Sequence, residues 1–267
     1  MSETEQSADG AAAPGEMSLI EHLTELRNRI GVIMIGFIAI FLICFIRPYG
    51  SGTQNIADAV YIFLQAPLAD ILLERGGRMI FTGLHEGFFT QVKVSFFVAI
   101  SITFPLILLQ VWKFVAPGLY SHEKRFAVPL IIFGSLLAYA GIAFVQLLVL
   151  DKMFAFIQAF APPSVAATPD IASYVEAILS LYLAFGLAFQ VPIVVMLLVR
   201  FNMVTVEQLS AFRGYFIVIA FVIAAMVTPP DVISQLSLAI PMCILYQFGI
   251  WGAKWFSKAK PKEETED

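Results

Sequence analysis

The chain has 267 residues, 59% of them apolar and 13% charged, with a net charge of −4; an ordinary soluble domain carries roughly 25% charged residues. A mean hydropathy of +0.84 and 25 phenylalanines leave too little polar surface to cover a soluble core. These figures exclude a soluble domain, a disordered chain, a disulfide scaffold and a nucleic-acid binder, because no cluster of Lys and Arg is large enough to track a phosphate backbone. They predict an all-α polytopic membrane protein.

In chain order, residues 1–16 (MSETEQSADGAAAPGE) are acidic, small and interrupted by Pro and Gly. They are expected to form a disordered extension, ahead of a membrane body at 17–256 and a charged tail at 257–267. The extension has neither the basic start nor the apolar stretch of a signal peptide, so the first span is its own targeting element. From Ser18 onward, Leu19, Leu23, Leu26 and Ile30 recur at helical spacing, while Glu21, Glu25 and Arg29 share another face. This predicts an interfacial helix running into the first span.

Reading from charge to charge gives six uncharged windows, at 30–46, 94–112, 126–150, 177–199, 214–230 and 232–253. A hydrocarbon core of about 30 Å needs roughly 20 apolar residues in a helix. The second, third, fourth and sixth windows meet that length, and the first reaches it with its lead-in. The fifth offers only 215–228 before Pro229-Pro230, about 21 Å of helix. It is expected to thin the bilayer, to sit against protein or to leave its outer end in water.

With the N-terminus inside, the inner segments hold 11 basic residues and the outer side keeps 5 (Arg47, Arg75, Arg78, Lys93 and Lys152), so both termini are expected to face the cytoplasm. In the long first outer connection, 55–65 and 67–74 read as two short amphipathic helices. Ile56, Val60, Phe63 and Leu64 lie on one side, and Ala66-Pro67-Leu68 forms the break. The second outer connection, 151–176, carries the turn signals Pro162-Pro163 and Pro169-Asp170. Pro105, Pro192 and Pro241 interrupt the second, fourth and sixth spans, either as simple kinks or as parts of a concave wall.

For chemistry, the sequence has no phosphate-cradling Gly-rich loop, no HExxH and no run of carboxylates for a metal. His22, His85 and His122 lie in different segments, and Cys44 and Cys243 fall in apolar stretches. No cofactor and no catalytic pair are expected. The most central strongly polar side chain is Gln190 in the fourth window; it either bonds a neighbouring backbone or marks a wet cavity.

Three constellations carry more. Glu25 is either self-satisfied by Arg29 or a carboxylate held at the inner surface for a cationic partner. In the inner loop QVWKFVAPGLYSHEKR (110–125), Ser121 can cap the next helix and Glu123 falls in its first turn. There Glu123 either balances Lys124 and Arg125 or faces a ligand. In TPPDVISQ (228–235), Asp231 is placed to cap the sixth span. A polar Thr228/Gln235 patch beside it could receive a transmembrane partner. On physics alone, a small-solute transporter and a protein-binding membrane receptor stand level, with a structural scaffold behind them.

These stretches resemble the TatC family, the multispanning receptor subunit of the twin-arginine protein translocase. The resemblance covers about 17–256 and includes HLTELR (22–27), APL (66–68), FFTQVKV (88–94), the 110–125 loop, DIASY (170–174), FGLAFQVP (185–192) and TPPDVISQ (228–235), in order. It implies a concave, glove-like arrangement of six transmembrane helices in the bacterial inner membrane, and a receptor that is not an enzyme. Its implied partners are twin-arginine signal peptides of folded cargo, single-span Tat subunits of the A and B types, and membrane lipid, in an oligomer driven by the proton motive force.

Carried over by motif, Glu25 and Glu123 would contact the signal arginines, with Leu26, Arg27 and Phe114 in support. Pro67 would shape the outer cap. Thr228 and Gln235 would lie near the docking site of the single-span subunits, with Asp231 at the adjoining turn. The family often has Glu where this chain has Gln190, so a hydrogen-bonding role survives there and an ionised one does not.

Overall fold

A computed structural model of the chain describes residues 19–46, 56–74, 77–115, 127–159, 168–228 and 231–258. These residues form ten α-helices and one π-helical turn. The helices are α1 (Leu19–Phe45), α2 (Ile56–Glu74), α3 (Glu86–Val115), α4 (Ala127–Phe144), α5 (Leu150–Ala159), α6 (Ile171–Ala188), α7 (Val191–Arg200), α8 (Val206–Ala211), α9 (Arg213–Val227) and α10 (Val232–Lys258), and the π-turn is Val145–Val149. Five stretches are long and apolar enough to cross a membrane: Leu23–Phe45, Glu86–Phe114, Val128–Phe156, Ile171–Arg200 and Val232–Trp255. The shorter apolar Arg213–Val227, fifth in chain order, completes the six. The chain is an all-α polytopic membrane protein with the expected six spans.

The helices outrun the charge-bounded windows at both ends. α3 begins at Glu86 rather than Val94, and α6 begins at Ile171 rather than Ala177. Lys93 on α3 and Glu176 on α6 lie within these helices and form an exposed ion pair with each other, so neither charge ends its helix. The third span likewise passes through the π-turn and continues into α5, carrying Asp151 and Lys152 inside the helix. The three prolines also behave differently from one another. Pro105 and Pro241 sit inside continuous helices. Only at Pro192 does the span divide, between α6 and α7 at Phe189-Gln190, with the proline in the first turn of α7, where its missing N–H costs no helical bond.

The expected pair of helices at 55–65 and 67–74 is one helix, α2, with Pro67 inside it. Its buried side is Ala57, Leu64, Leu68 and Leu72, a helical i, i+4 stripe; Ile56 and Phe63, expected on the packed side, are exposed. Asn55 lies outside the described residues.

Packing divides the bundle into two cores. The larger gathers Leu64, Val94, Val145, Ile178, Tyr182 and Phe185 with their neighbours from α2, α3, the π-turn and α6. The smaller joins Val195, Val206, Leu209, Tyr246, Ile250 and Ala253, where α7, α8 and α10 meet. α8 was not foreseen in the inner connection. Its signal was present in Thr205-x-x-Gln208, whose side chains cap each other's backbone N–H groups. The turn before it runs through Asn202 at φ 53, a left-handed conformation that Asn tolerates. Tyr246 then fastens α10 to α8 by donating its hydroxyl to the Leu209 carbonyl at 2.9 Å.

α1 and α9 are peripheral. α9 buries Ala220 and Ala224 and exposes Val218, Val222 and Met226. The connection into α3 is tied to the start of α6 by Ile80, whose N–H donates to the Pro169 carbonyl at 3.2 Å and whose carbonyl accepts from Ile171 N–H at 3.0 Å. Asp170 caps α6 by accepting from Ser173 N–H at 2.8 Å. Hydrogen bonds from the Ser173 side chain and backbone hold its carboxyl down to about 2. Cys44 and Cys243 are free thiols.

Candidate functional site

The N-terminal end of α1 is where the sequence placed a binding carboxylate. Glu25 and Arg29 are one helical turn apart, and Arg29 Nη2 donates to Glu25 Oε1 at 2.5 Å. Arg29 does not stop there. Its Nη1 crosses to α3 and donates to Gln110 Oε1 at 3.4 Å. Gln110 is buried, and Arg29 Nε is buried with no hydrogen-bond partner among the described residues. The Glu25 carboxylate is therefore fixed at the α1–α3 seam by a guanidinium anchored on the second helix. The Arg29 contact engages one of its two oxygens, Oε1.

Around this centre, Leu26 is half-buried, Arg27 is exposed, and Phe114 follows Gln110 by one turn of α3 and is half-buried. Glu123, Ser121 and the rest of 116–126 lie outside the described residues. Gln110 was quoted in the sequence motif but not assigned to the site. Its signal was a strongly polar side chain at the inner end of an otherwise apolar window. Gln110→Leu removes the second anchor of Arg29, a hydrogen bond to a charged group at stretched distance. Thermal unfolding in detergent is expected to show a loss of about 0.5–1.5 kcal/mol for this variant.

The remaining candidates lie elsewhere. Gln190 stands at the α6–α7 break, and its Nε2 donates to the Gly134 carbonyl of α4 at 2.9 Å. Pro67 is inside α2. Asp231 caps α10, accepting from Ser234 N–H at 2.7 Å. Thr228 Oγ1 donates back to the Ala224 carbonyl at 2.8 Å. Gln235 Nε2 donates across to the Phe221 carbonyl of α9 at 3.3 Å. The structure thus joins Thr228, Asp231 and Gln235 around the α9–α10 junction, and separates them from Glu25. Among the described residues no group of three or more His, Cys, Asp or Glu could hold a metal ion.

The family model of the Sec-independent protein translocase protein (TatC) matches residues 21–241. The chain belongs to the TatC family. A TatC protein of Haemophilus influenzae is 41% identical over 246 residues, covering 92% of this chain and 91% of the relative. That of Escherichia coli K12 is 40% identical over 247 residues, covering 92% of each. A crystal structure described as the twin arginine translocase receptor TatC superposes with a TM-score of 0.75 at 37% identity, covering 89% of this chain and all of that one. A second, in the detergent DDM, gives 0.76 at 37% identity, covering 87% of this chain and 99% of that one. Like those TatC proteins, the chain is a multi-pass membrane protein and a component of protein transport.

Proposed function

We propose that this TatC-family chain is the receptor subunit of a twin-arginine translocase. It binds signal peptides carrying two adjacent arginines and recruits single-span subunits of the A and B types. With them, as an oligomer in the bacterial inner membrane, it moves folded cargo outward on the proton motive force. It is a transport component rather than an enzyme, and both termini face the cytoplasm.

The observation that carries this reading is the Glu25–Arg29–Gln110 arrangement at the α1–α3 seam. A carboxylate that already accepts one guanidinium through Oε1 keeps a second oxygen for another, and arginine's planar fork suits that geometry as lysine does not. Glu123 supplies the second acceptor, with Leu26, Arg27 and Phe114 around the pair. Fully solvated ion pairs are worth about 0–1 kcal/mol each, too little to discriminate; at a partly dry seam, bonds to charged groups reach roughly 1.5–3 kcal/mol. On the other side of the molecule, the exposed Val218, Val222 and Met226 of α9, next to the Thr228/Asp231/Gln235 junction, suit an apolar single-span partner.

The test is site-specific photo-crosslinking. A photoreactive residue at position 25 or 123 is expected to capture a twin-arginine peptide and not its twin-lysine counterpart, and one at position 190 reports how deeply the peptide inserts. No crosslink from either 25 or 123 defeats the assignment. Tags at the two termini are expected to be accessible from the cytoplasmic side only.

A further inference from the structure

Proline at position 67 has no N–H, so the carbonyl of Phe63, four residues earlier in α2, loses its helical donor. Such a carbonyl is left to water or to a donor from a neighbouring element. Here Gln146 Nε2 donates to the Phe63 carbonyl oxygen at 3.5 Å. The other end of that amide, Gln146 Oε1, accepts from the Tyr182 hydroxyl. One residue further along α2, the Leu64 carbonyl accepts from the Tyr174 hydroxyl at 2.8 Å. Two side chains from outside α2, Gln146 and Tyr174, therefore end on the turn around the proline, and Tyr182 braces the first of them.

The supports of these three side chains lie in the bundle, not in α2. Gln146 sits on the π-turn Val145–Val149, a wide turn that interrupts the third span at this point. The Tyr182 ring is buried against Phe97 of α3, centroids 5.4 Å apart, and the Tyr174 ring lies 5.4 Å from Phe154 of α5. Only the polar tips of Gln146 and Tyr174 reach α2, and that of Tyr182 stops at Gln146. Its own seat is the apolar stripe of Leu64, Leu68 and Leu72.

We propose that this trio is a latch. α2 is a strap docked on the bundle through the Phe63 carbonyl that Pro67 frees and the Leu64 carbonyl beside it, and losing the Gln146–Tyr182 bridge unseats the strap as a unit while the membrane-spanning helices stay packed. The latch does not depend on the peptide-binding reading, since none of its residues belongs to the Glu25 site.

Hydrogen exchange read by mass spectrometry on the full chain in nanodiscs tests it. Gln146→Leu is expected to speed exchange across 56–74 by about tenfold or more and to leave 232–258 unchanged. Tyr182→Phe, which removes one hydroxyl, acts in the same direction more weakly. In a Pro67→Ala background, where a backbone N–H is restored at position 67, the Gln146→Leu effect is expected to shrink below about threefold. Unchanged exchange over 56–74 in both single variants overturns the latch, as does equal acceleration with and without the proline or acceleration that spreads to 232–258. If Gln146→Leu fails to fold, Tyr182→Phe carries the same comparison against Pro67→Ala.

Discussion

Glu25→Ala and Glu123→Ala are each expected to abolish measurable binding of a twin-arginine signal peptide to the chain in nanodiscs. Each removes the acceptor of a charge-assisted hydrogen bond worth roughly 1.5–3 kcal/mol when partly desolvated, which is about ten- to hundredfold in affinity per arginine. The loss at Glu25 has a second component. Among the described residues Arg29 would keep only Gln110, with its Nε already unpartnered, so its guanidinium would lose the counter-charge on its own helix. Glu25→Gln keeps the shape and one acceptor oxygen, and is expected to bind more weakly than the unaltered chain but to melt at a similar temperature. A twin-lysine peptide should lose most of its affinity for the unaltered chain. Unchanged affinity in both Ala variants would reject the proposed site, whatever the family.

Gly141→Ala is expected to destabilise the bundle more than any other single methyl addition in α4. A Cβ at Gly141 would stand 2.6 Å from the Phe185 carbonyl oxygen and 2.9 Å from its carbon. Both are backbone atoms of α6, so no side chain can swing aside, and one helix must move. Small residues let helix backbones approach in this way in membranes, and overpacking such a contact costs about 1–3 kcal/mol. The measurement is thermal unfolding in detergent, followed by helical circular dichroism. Gly31 is the matched control, because nothing lies within 4 Å of a Cβ there. Equal melting of Gly141→Ala and Gly31→Ala would show that α4 and α6 do not approach so closely.

Much of the architecture was legible without coordinates because lipid imposes a strong compositional rule on every span. Six apolar windows, a short fifth helix before Pro229-Pro230 and an Asp231 cap could all be read from residue type and spacing. α8 was missed although its capping box was local, but two other expectations went astray because a local rule was overruled by a partner distant in sequence. Lys93 and Glu176 were taken as span ends, yet they neutralise each other from two helices. Pro67 was taken as a break, yet its helix continues, with the freed carbonyl met by Gln146 from the third span. At the site, Glu25 and Arg29 were visible as an i, i+4 pair. Gln110, which anchors the pair to α3, became part of it only through folding.

The sequence by itself determined that this chain lives in a membrane, how many times it crosses, and to which family it belongs, because hydrophobic length and motif order are properties of the chain. The tertiary structure alone decided which polar side chains meet: Arg29 with Gln110, Gln146 with Tyr182 and the Phe63 carbonyl, Gln190 with the Gly134 carbonyl. The physical reason is that an unpaired polar group is costly away from water. Each one must find a donor or acceptor, and only packing brings that partner, often many residues away, within hydrogen-bond reach.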